Sequence, residues 1–354
     1  MSLKLQFLQC TLVVVLYLVV CVILMKVKSN YYKNKDLKAT ESEVQYLQKL
    51  INIDKQRNRT KILPSEKVKD KFDEFKSAAL DPQAIYFETY KILQQIPKTC
   101  RKHNLITPIR SKHFLYNRKH KSLYCWIRKV ASTSFTKLFM KKASDVIIPK
   151  NESMLILSNN TDVFKFLLVR HPFERLVSSY RDRLEDNSKY TAQAWIYARR
   201  IFSLTRPNLF YSNKTTGDSL RRIFDSEKRL RIVPTFREFI KYLLKSTDDD
   251  IHWALYYKHC STCSVKYNFI LKLNDYTLGQ INFILSKFGL NESTDFLPNF
   301  ETSRGGFTDF EKTCKYFATL AQDDVLKLYE KYKVDFEMFD YNLTRYIQCA
   351  NKSE

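Results

Sequence analysis

The chain has 354 residues, 44% of them hydrophobic and 14% aromatic, so it can bury the core of one large domain or two ordinary ones. Only five glycines are present, which argues against long flexible linkers. The formal net charge of +23 favours polyanionic partners, namely nucleic acid, anionic lipid or acidic polysaccharide, and charge alone does not choose among them.

The N-terminus carries an uncharged apolar run of 19 residues, Phe7 to Met25, which is long enough to span a membrane. No small-residue cleavage signature follows, so the pattern favours an uncleaved signal anchor over a removed signal peptide. Residues 26–95 are polar and lysine-rich and are predicted to form a stem. The predicted order is a cytoplasmic tail at 1–6, a transmembrane anchor at 7–25, the stem at 26–95 and a lumenal domain at 96–354.

The orientation of this anchor rests on opposing signals. Lysines follow the span directly, which by the positive-inside rule favours a cytoplasmic body. Sequons and paired cysteines favour a lumenal body, because they belong to a glycosylating, disulfide-forming compartment. The N-x-S/T sequons begin at Asn58, Asn151, Asn159, Asn213, Asn291, Asn342 and Asn351. The cysteines outside the span are Cys100, Cys125, Cys260, Cys263, Cys314 and Cys349. We therefore predict a lumenal body.

From Cys100 onward, apolar strand-like runs alternate with amphipathic helix-like runs, which predicts an α/β fold with a parallel sheet flanked by helices. The clearest predicted strands are Ser122–Ile127, Phe164–Val169 and Tyr267–Leu273. The predicted helices are Ser134–Lys142, Pro172–Leu184, Phe236–Leu244, Leu278–Phe288 and Asp323–Tyr332.

The first of these strands leads into the loop RKVASTS, residues 128–134, and then into a helix. Amides at a helix N-terminus bind phosphate or sulfate oxygens, and the loop hydroxyls and the Lys129 ammonium can add further donors. The chain lacks G-x-x-x-x-G-K-[ST], which argues against an ordinary nucleotide triphosphatase. We expect a wide loop of small residues that presents its amides without needing the positive φ of glycine. Taken alone, these residues also fit a capped turn without a ligand.

The second unit is FKFLLVRHPFERLVSSYRDRLE, in which the strand Phe164–Val169 ends at Arg170 and a proline opens a helix. Ser178 lies off the apolar stripe of that helix and faces either a cleft or water. Ligands in open α/β sheets bind at the carboxyl ends of strands. If the two strands are neighbours, Lys129 and Arg170 point into one crevice that suits a ligand with two separated anionic groups. A salt bridge to Glu174 is the alternative role of Arg170.

Together the two units resemble the donor-binding motifs of the Golgi carbohydrate sulfotransferases, in the group of the chondroitin and dermatan 4-O-sulfotransferases and the HNK-1 sulfotransferase. That family has P-K-V-A-x-T-x where this chain has RKVASTS, and R-D-P-F-x-R-L-x-S-x-Y-R where it has RHPFERLVSSYR. The blocks FREFIKYLL, HWALYYKHCSTCSVKYNFILKLN and LYEKYKVDFEMFDYN follow in the family's order, so the resemblance covers roughly Cys100 to Tyr341. Arg128 replaces the usual proline, and His171 replaces the usual aspartate.

The resemblance implies a P-loop-like sulfotransferase fold, a single-pass type II protein of the Golgi membrane, and PAPS (3′-phosphoadenylyl sulfate) as the sulfuryl donor. It implies a glycan acceptor, acidic or neutral and first of all a glycosaminoglycan, rather than a nucleic acid. The 4-O position of GalNAc in chondroitin or dermatan is the first expectation, followed by the 3-O position of glucuronic acid. The implied donor-binding residues are Arg128, Lys129, Val130, Ala131, Ser132, Thr133 and Ser134 at the 5′-phosphosulfate, with Arg170 and Ser178 at the 3′-phosphate.

Sulfuryl transfer parallels phosphoryl transfer, with charge building on the leaving phosphate oxygen, and in principle requires no metal. We predict that Lys129 is catalytic and neutralises this charge while the loop amides hold the equatorial oxygens. A general base must take the acceptor proton. The first candidate is His252 in DDDIHW, and His171 or a carboxylate is the alternative.

Three further patterns admit other interpretations. Asp248-x-Asp250 has a spacing that can hold a divalent cation in a glycosyltransferase, although an acidic turn explains it as well. A tethered protein that binds acidic glycans without catalysis is a second rival, because the chain departs from the family's motifs at two positions. Cys260-x-x-Cys263 has no second metal-binding pair, so we predict separate structural disulfides rather than zinc.

Overall fold

A computed structural model describes residues 82–106, 108–140, 145–209, 216–273, 278–290 and 306–351. The chain divides into two compact units, residues 1–73 and 74–354, and every described residue belongs to the second. The predicted tail and anchor and most of the predicted stem lie outside the described residues. Among the helices that are described, none combines the length and the apolar character needed to cross a membrane.

Helices and strands alternate in the first half of the described chain, and the second half is mostly helical. The first half contains α1 (Pro82–Lys102), β1 (Phe114–Asn117), β2 (Ser122–Cys125), α2 (Ser132–Met140), β3 (Val146–Ile147), α3 (Asn151–Asn159), β4 (Phe164–Val169) and α4 (Pro172–Tyr180). A π-helical turn, Arg181–Glu185, continues α4. The second half contains α5 (Ala192–Thr205), α6 (Thr216–Ile223), α7 (Phe236–Lys245), α8 (Tyr256–Cys260), β5 (Phe269–Lys272), α9 (Leu278–Ser286), α10 (Phe310–Phe317), α11 (Gln322–Met338) and α12 (Thr344–Ile347).

The strands form one sheet in the order β3-β1-β2-β4-β5. β2, β4 and β5 are parallel neighbours, with Tyr124 opposite Phe166 and Phe166 opposite Phe269. The prediction of a parallel sheet is confirmed for these three strands, and β4 has the predicted bounds. The sheet as a whole is mixed, because β1 pairs antiparallel with both β2 and β3. β1, with four residues, and β3, with two, are not among the predicted strands.

The five predicted helices are present as α2, α4, α7, α9 and α11 with shifted ends. α4 begins at Pro172 as predicted, and the Nδ1 atom of His171 accepts a hydrogen bond from Phe173 N at 3.2 Å. α7 begins with a reciprocal capping box between Thr235 and Glu238. These caps fix the entry angle of both helices.

Helix α1 packs on the sheet although much of it falls in the segment predicted to be stem. Ile92 and Ile96 are buried in the same hydrophobic cluster as the strands. Thr89 Oγ1 donates a hydrogen bond to Ile270 O, in β5, at 3.0 Å. The predicted boundary between stem and domain, after residue 95, therefore falls inside a helix that contributes to the core.

Three disulfides link the described cysteines, namely Cys100–Cys263, Cys125–Cys260 and Cys314–Cys349. All six described cysteines are bridged, and the prediction that Cys260 and Cys263 lie in separate disulfides is confirmed. Because Cys125 ends β2 and Cys260 ends α8, the second bridge ties down the strand that leads into the loop at 128–134. Cross-links that close such long loops restrict the unfolded chain strongly.

Candidate functional site

A cavity of about 370 Å³ opens where the three parallel strands end. This volume lies in the range of about 300–1,000 Å³ that is typical of small-molecule sites. The lining residues are Arg128, Lys129, Ala131, Ser132, Thr133, Ser134, Arg170, Ser178, Asp182, Arg183, Asp186, Lys189, Leu273, Gly306, Phe307 and Thr308. Five of these are cations and two are carboxylates, so the cavity favours an anion.

The loop after β2 adopts a left-handed backbone at two residues that are not glycine. The φ angle is 69° at Lys129 and 58° at Ala131. The expectation that this loop needs no positive φ is therefore wrong, and each such residue costs about 1–2 kcal/mol. Hydrogen bonds from two buried arginines hold the strained turn: Arg170 Nη1 donates to Lys129 O at 3.3 Å, and Arg175 Nε donates to Arg128 O at 3.0 Å. The shape of the loop thus depends on Arg175, in α4, and on Arg170, two residues before α4.

The first turn of α2 supplies amides to the cavity. The first hydrogen bond of this helix runs from Phe135 N to Ala131 O at 3.0 Å. The amides of residues 132–134 therefore have no acceptor within the helix. The side chains of residues 132–134 also line the cavity. Amides and helix dipole together favour an oxyanion here. Val130 is fully buried in the core instead, so only its backbone belongs to the loop.

Lys129 shares a carboxylate with two other cations. Its ammonium lies 3.1 Å from Asp182 Oδ2, and Asp182 also contacts Arg183 Nε at 2.8 Å and Lys189 Nζ at 3.0 Å. Burial lowers the pKa of Lys129, and the neighbouring Asp182 opposes that shift. Burial by itself would raise the pKa of Asp182, but Lys129, Arg183 and Lys189 hold it well below its usual range. Asp182 thus remains ionised and neutralises the cationic side of the cavity.

Asp182→Asn should tighten the binding of an anion in the cavity while destabilising the empty protein. The substitution removes the carboxylate that competes for Lys129. We therefore expect adenosine 3′,5′-bisphosphate, the desulfated product of PAPS, to bind about 3- to 10-fold more tightly. The melting temperature without ligand should fall because three cations lose their shared counterion. Calorimetric titration and thermal unfolding measure both effects.

Asp186→Asn is the matched control for that substitution, since Asp186 lines the same cavity but pairs with Lys189 at 3.6 Å. It removes the same charge without releasing Lys129. Equal gains in affinity from the two variants would show that general charge, rather than the contact to Lys129, limits binding.

Arg170 is 3% exposed and is bonded on several sides. Besides Lys129 O, its guanidinium donates to Thr308 O, lies 3.6 Å from Glu174 Oε2 and stacks 4.6 Å from the Phe307 ring centroid. Both interpretations of the sequence therefore apply, because this arginine lines the cavity and also pairs with Glu174. It braces the loop at 128–134 against the segment at 306–308.

Arg170→Ala should weaken ligand binding and stability together. Loss of the guanidinium removes one ion-pair partner of Glu174, which is 3% exposed, and breaking a buried pair in this way costs about 3–5 kcal/mol. Ser178→Ala is the lighter test of the same region, because Ser178 lines the cavity and is buried without such a partner charge. We expect Ser178→Ala to weaken binding of the bisphosphate with little change in melting temperature. An unchanged affinity in both variants would remove this region from the binding site.

Arg175 connects the loop to the segment that carries His252. It is 2% exposed, and besides Arg128 O it donates to Ala254 O at 2.6 Å and to Ile251 O at 3.2 Å. Ser179 Oγ donates to His252 O at 2.7 Å and so holds the same segment. Neither residue was identified as a site residue from the sequence, although both lie in the quoted second unit.

His252 lies beside the cavity but is not among its lining residues. Its Nδ1 atom is 2.6 Å from Asp250 Oδ1, and because a carboxylate only accepts, Nδ1 is the donor and Nε2 carries the lone pair. Burial lowers the pKa of His252 while Asp250 raises it, and the nearby Arg183 and Arg128 lower it further. The pairing of imidazole and carboxylate is the arrangement that orients a general base.

His171 is not among the residues that line the cavity. It is 6% exposed and stacks 4.0 Å from the Tyr346 ring, and its Nε2 atom lies 3.1 Å from Asn342 O. Burial lowers its pKa to about 3. This side chain therefore caps α4 and packs in an aromatic cluster.

The two carboxylates of Asp248-x-Asp250 contact different partners. Asp248 Oδ2 lies 2.6 Å from Arg200 Nη1 and accepts a hydrogen bond from Tyr242. Asp250 contacts His252 and accepts a hydrogen bond from Gln193 at 3.2 Å. Within the described ranges, no cluster of three or more potential metal-binding side chains is found.

Several residues that line the cavity belong to no motif that could be recognised in the sequence. Leu273 follows β5, and Gly306, Phe307 and Thr308 come from a segment far along the chain. Arg181 Nη1 fixes that segment by donating to Gly306 O at 3.0 Å and to Thr308 Oγ1 at 2.6 Å. Only folding brings this stretch to the strand ends, so spacing along the chain does not reveal it.

Comparison with known proteins assigns the family. The family model described as Sulfotransferase family matches residues 112–342. Carbohydrate sulfotransferase 11 of Mus musculus is 28% identical over 288 residues, covering 72% of this chain and 76% of the relative. Carbohydrate sulfotransferase 10 of Danio rerio is 26% identical over 303 residues, covering 75% and 78%. The human form of sulfotransferase 10 is 24% identical over 352 residues, covering 88% and 90%. No solved structure matches the chain.

The chain therefore belongs to the sulfotransferase family. This confirms the resemblance drawn from the two donor-binding motifs, and with it the prediction of an enzyme, a PAPS-dependent carbohydrate O-sulfotransferase.

Proposed function

We propose that the protein transfers the sulfuryl group of PAPS to a glycan hydroxyl in the cavity at the strand ends. One observation carries this proposal: the loop at 128–134 and the pair Arg170 and Ser178 line the same cavity, at the ends of adjacent parallel strands. This arrangement suits a donor with anionic groups at both ends. The loop would hold the 5′-phosphosulfate, and Arg170 with Ser178 the 3′-phosphate.

Lys129 and the first turn of α2 would stabilise the charge that develops during transfer. A bond forms between the acceptor oxygen and sulfur as the bond from sulfur to the bridging phosphate oxygen breaks. Lys129 would move from Asp182 toward that bridging oxygen, and the amides of residues 132–134 would hold the equatorial oxygens. Fixed donors in a partly buried site need little reorganisation, so they favour the transition state.

His252 would accept the proton of the acceptor hydroxyl at Nε2. The Asp250 carboxylate at Nδ1 fixes the tautomer that leaves Nε2 basic and stabilises the imidazolium that forms. Asp182 is the alternative carboxylate base in the cavity, but three neighbouring cations make it a poor proton acceptor near neutral pH.

The acceptor that we propose first is the 4-O position of GalNAc in chondroitin or dermatan chains, and the second is the 3-O position of glucuronic acid. The relatives reported above include carbohydrate sulfotransferases 10 and 11, with similar identity, so the comparison supports a glycan without ranking these two. The basic chain favours acidic polymers in either case.

We also propose a type II protein of the Golgi membrane with a lumenal catalytic domain. The three disulfides suit an oxidising compartment. Sequon asparagines in the described ranges are all exposed, as glycan attachment requires: Asn151, Asn159, Asn342 and Asn351. Protease protection in sealed Golgi vesicles tests this topology, and digestion of the body from outside would contradict it.

Transfer of labelled sulfate from PAPS to a panel of desulfated glycosaminoglycans tests the function. We expect incorporation in the presence of EDTA, and disaccharide analysis then identifies the hydroxyl. Turnover that requires Mn²⁺ and a sugar nucleotide would instead support the glycosyltransferase rival. Salt-sensitive glycan binding with no affinity for adenosine 3′,5′-bisphosphate would support the rival that has lost catalysis.

A further inference from the structure

A second cavity, of about 350 Å³, lies between the end of α5 and the outer face of α7. Its lining residues are Leu204, Thr205, Arg237, Glu238, Lys241 and Lys245. Among the described residues it shares none with the cavity at the strand ends. We call this second cavity the α7 groove.

Three exposed cations form a stripe along the α7 groove. Arg237, Lys241 and Lys245 follow at intervals of four residues, so they share one face of the helix and span about 12 Å. Within the described part of the chain, no carboxylate lies within the ion-pair distance of 4.0 Å of any of them. Like charges at this spacing oppose helix formation, so the stripe costs stability when nothing binds it.

The carboxylate in the α7 groove is already paired with another residue. Glu238 Oε1 lies 2.6 Å from Arg206 Nε and Oε2 lies 2.8 Å from Arg206 Nη2, a bidentate pair. Glu238 also caps the helix through Thr235. It therefore does not neutralise the stripe, and the groove presents a net positive face.

The helix that carries the stripe is held rigidly. Its opposite face buries Phe236, Phe239, Ile240 and Leu243 in the helical core cluster. The exposed Leu204 adds an apolar surface beside the cations, at 38% exposure. Fixed cations next to an apolar patch suit a polymer that alternates anionic groups with the apolar faces of sugar rings.

The α7 groove is connected to the wall of the donor cavity. Tyr180 Oη donates to Pro234 O, just before α7, at 2.8 Å. Tyr180 ends α4, the helix on which Ser178 lines the donor cavity. The buried Tyr180 thus ties the helix that carries the stripe to the helix that lines the donor cavity, so the two cavities belong to one packed part of the fold.

We propose that the α7 groove is an exosite for an acidic polysaccharide, and that it binds the part of the acceptor chain remote from the sulfated sugar. This proposal rests on the proposed function, because it assumes a polymeric glycan acceptor. The exosite lowers the KM for a long chain through Arg237, Lys241 and Lys245 and leaves the chemical step unchanged. Its contribution weakens with salt, since the contacts are exposed ion pairs.

The test compares the triple variant Arg237→Glu, Lys241→Glu, Lys245→Glu with wild type in two assays. Binding of polymeric chondroitin sulfate to the full chain is measured across a salt series, and KM and kcat are measured with desulfated chondroitin polymer and with a chondroitin tetrasaccharide. We expect the variant to bind polymer about tenfold more weakly, with a shallower salt dependence. The KM should rise for the polymer, while both constants for the tetrasaccharide stay as in wild type.

The matched control is Lys98→Glu, Lys266→Glu, Lys315→Glu, which makes the same change in net charge on three other exposed residues. We expect its polymer binding to stay near that of wild type. Equal loss in both triple variants, or unchanged polymer binding in the α7 variant, overturns the exosite. Loss of binding to phosphatidylserine vesicles with polymer binding intact overturns it in favour of a membrane surface. Absence of transfer to every glycan would overturn the proposed function, while the polymer-binding assay still decides the exosite.

Discussion

Replacement of Lys129 by alanine should lower kcat for sulfate transfer by about 100- to 1,000-fold, the usual effect of removing one donor from a site of developing charge. Lys129 lies in the loop at 128–134, and its left-handed backbone, with φ of 69°, sets the direction in which the side chain leaves the loop. The variant should keep its fold, because Asp182 retains Arg183 and Lys189 as partners. Labelled transfer from PAPS and thermal unfolding measure the two effects.

Lys189→Ala is the control for the loss of a cation from the same cavity. Lys189 also pairs with Asp182, but it is half-exposed and lies outside the loop. We expect it to raise the Kd for the donor product with a small change in kcat. If Lys129→Ala retained near-normal kcat, or if Lys189→Ala matched its loss, the role assigned to Lys129 would be wrong.

Replacement of His252 by alanine should lower kcat by about 100- to 10,000-fold if it is the general base. Wild-type kcat should rise with pH through the pKa of this residue, because only the neutral imidazole accepts a proton. Burial places that pKa below the ordinary value of 6.5, so the acid limb lies on the acid side of 6.5. A pH profile of kcat in wild type and variant measures both predictions.

Asp250→Asn separates a base that is oriented by a carboxylate from a histidine with a purely structural role. Asp250 raises the pKa of His252, so its loss moves the acid limb to still lower pH and reduces the maximal kcat. Asp248→Asn is the matched control, since its carboxylate contacts Arg200 and Tyr242 rather than the imidazole. An acid limb that stays in place in Asp250→Asn would rule out His252 as the group that controls it.

The sequence predicts the parallel centre of the sheet because each of its strands lies in an apolar run, and β2 and β4 are followed by clear helix starts. β4 and the start of α4 are found where predicted, and Lys129 and Arg170 line one cavity. The interpretation of a single crevice required β2 and β4 to be neighbours, and they are. Motif spacing is informative here because the anion-binding groups directly follow the strands that position them.

What the sequence does not predict depends on contacts between distant segments. Asp182 acts as a shared counterion only because folding brings the end of α4 beside the loop, 53 residues apart in the chain. The segment at 306–308 reaches the cavity through bonds from Arg170 and Arg181. The left-handed backbone at Lys129 and Ala131 likewise depends on arginine donors outside the loop, and residue type alone gave no sign of it.

The most direct test asks whether one ligand bridges the ends of two strands. It compares the affinities of adenosine 3′,5′-bisphosphate and adenosine 5′-phosphate by titration calorimetry with EDTA present. Wild type should bind the bisphosphate about 10- to 100-fold more tightly, because charge-assisted hydrogen bonds to the additional phosphate contribute a free energy of that size. Ser178→Ala should shrink that ratio, and Lys129→Ala should weaken both ligands alike. Equal affinity of wild type for the two ligands would contradict the account.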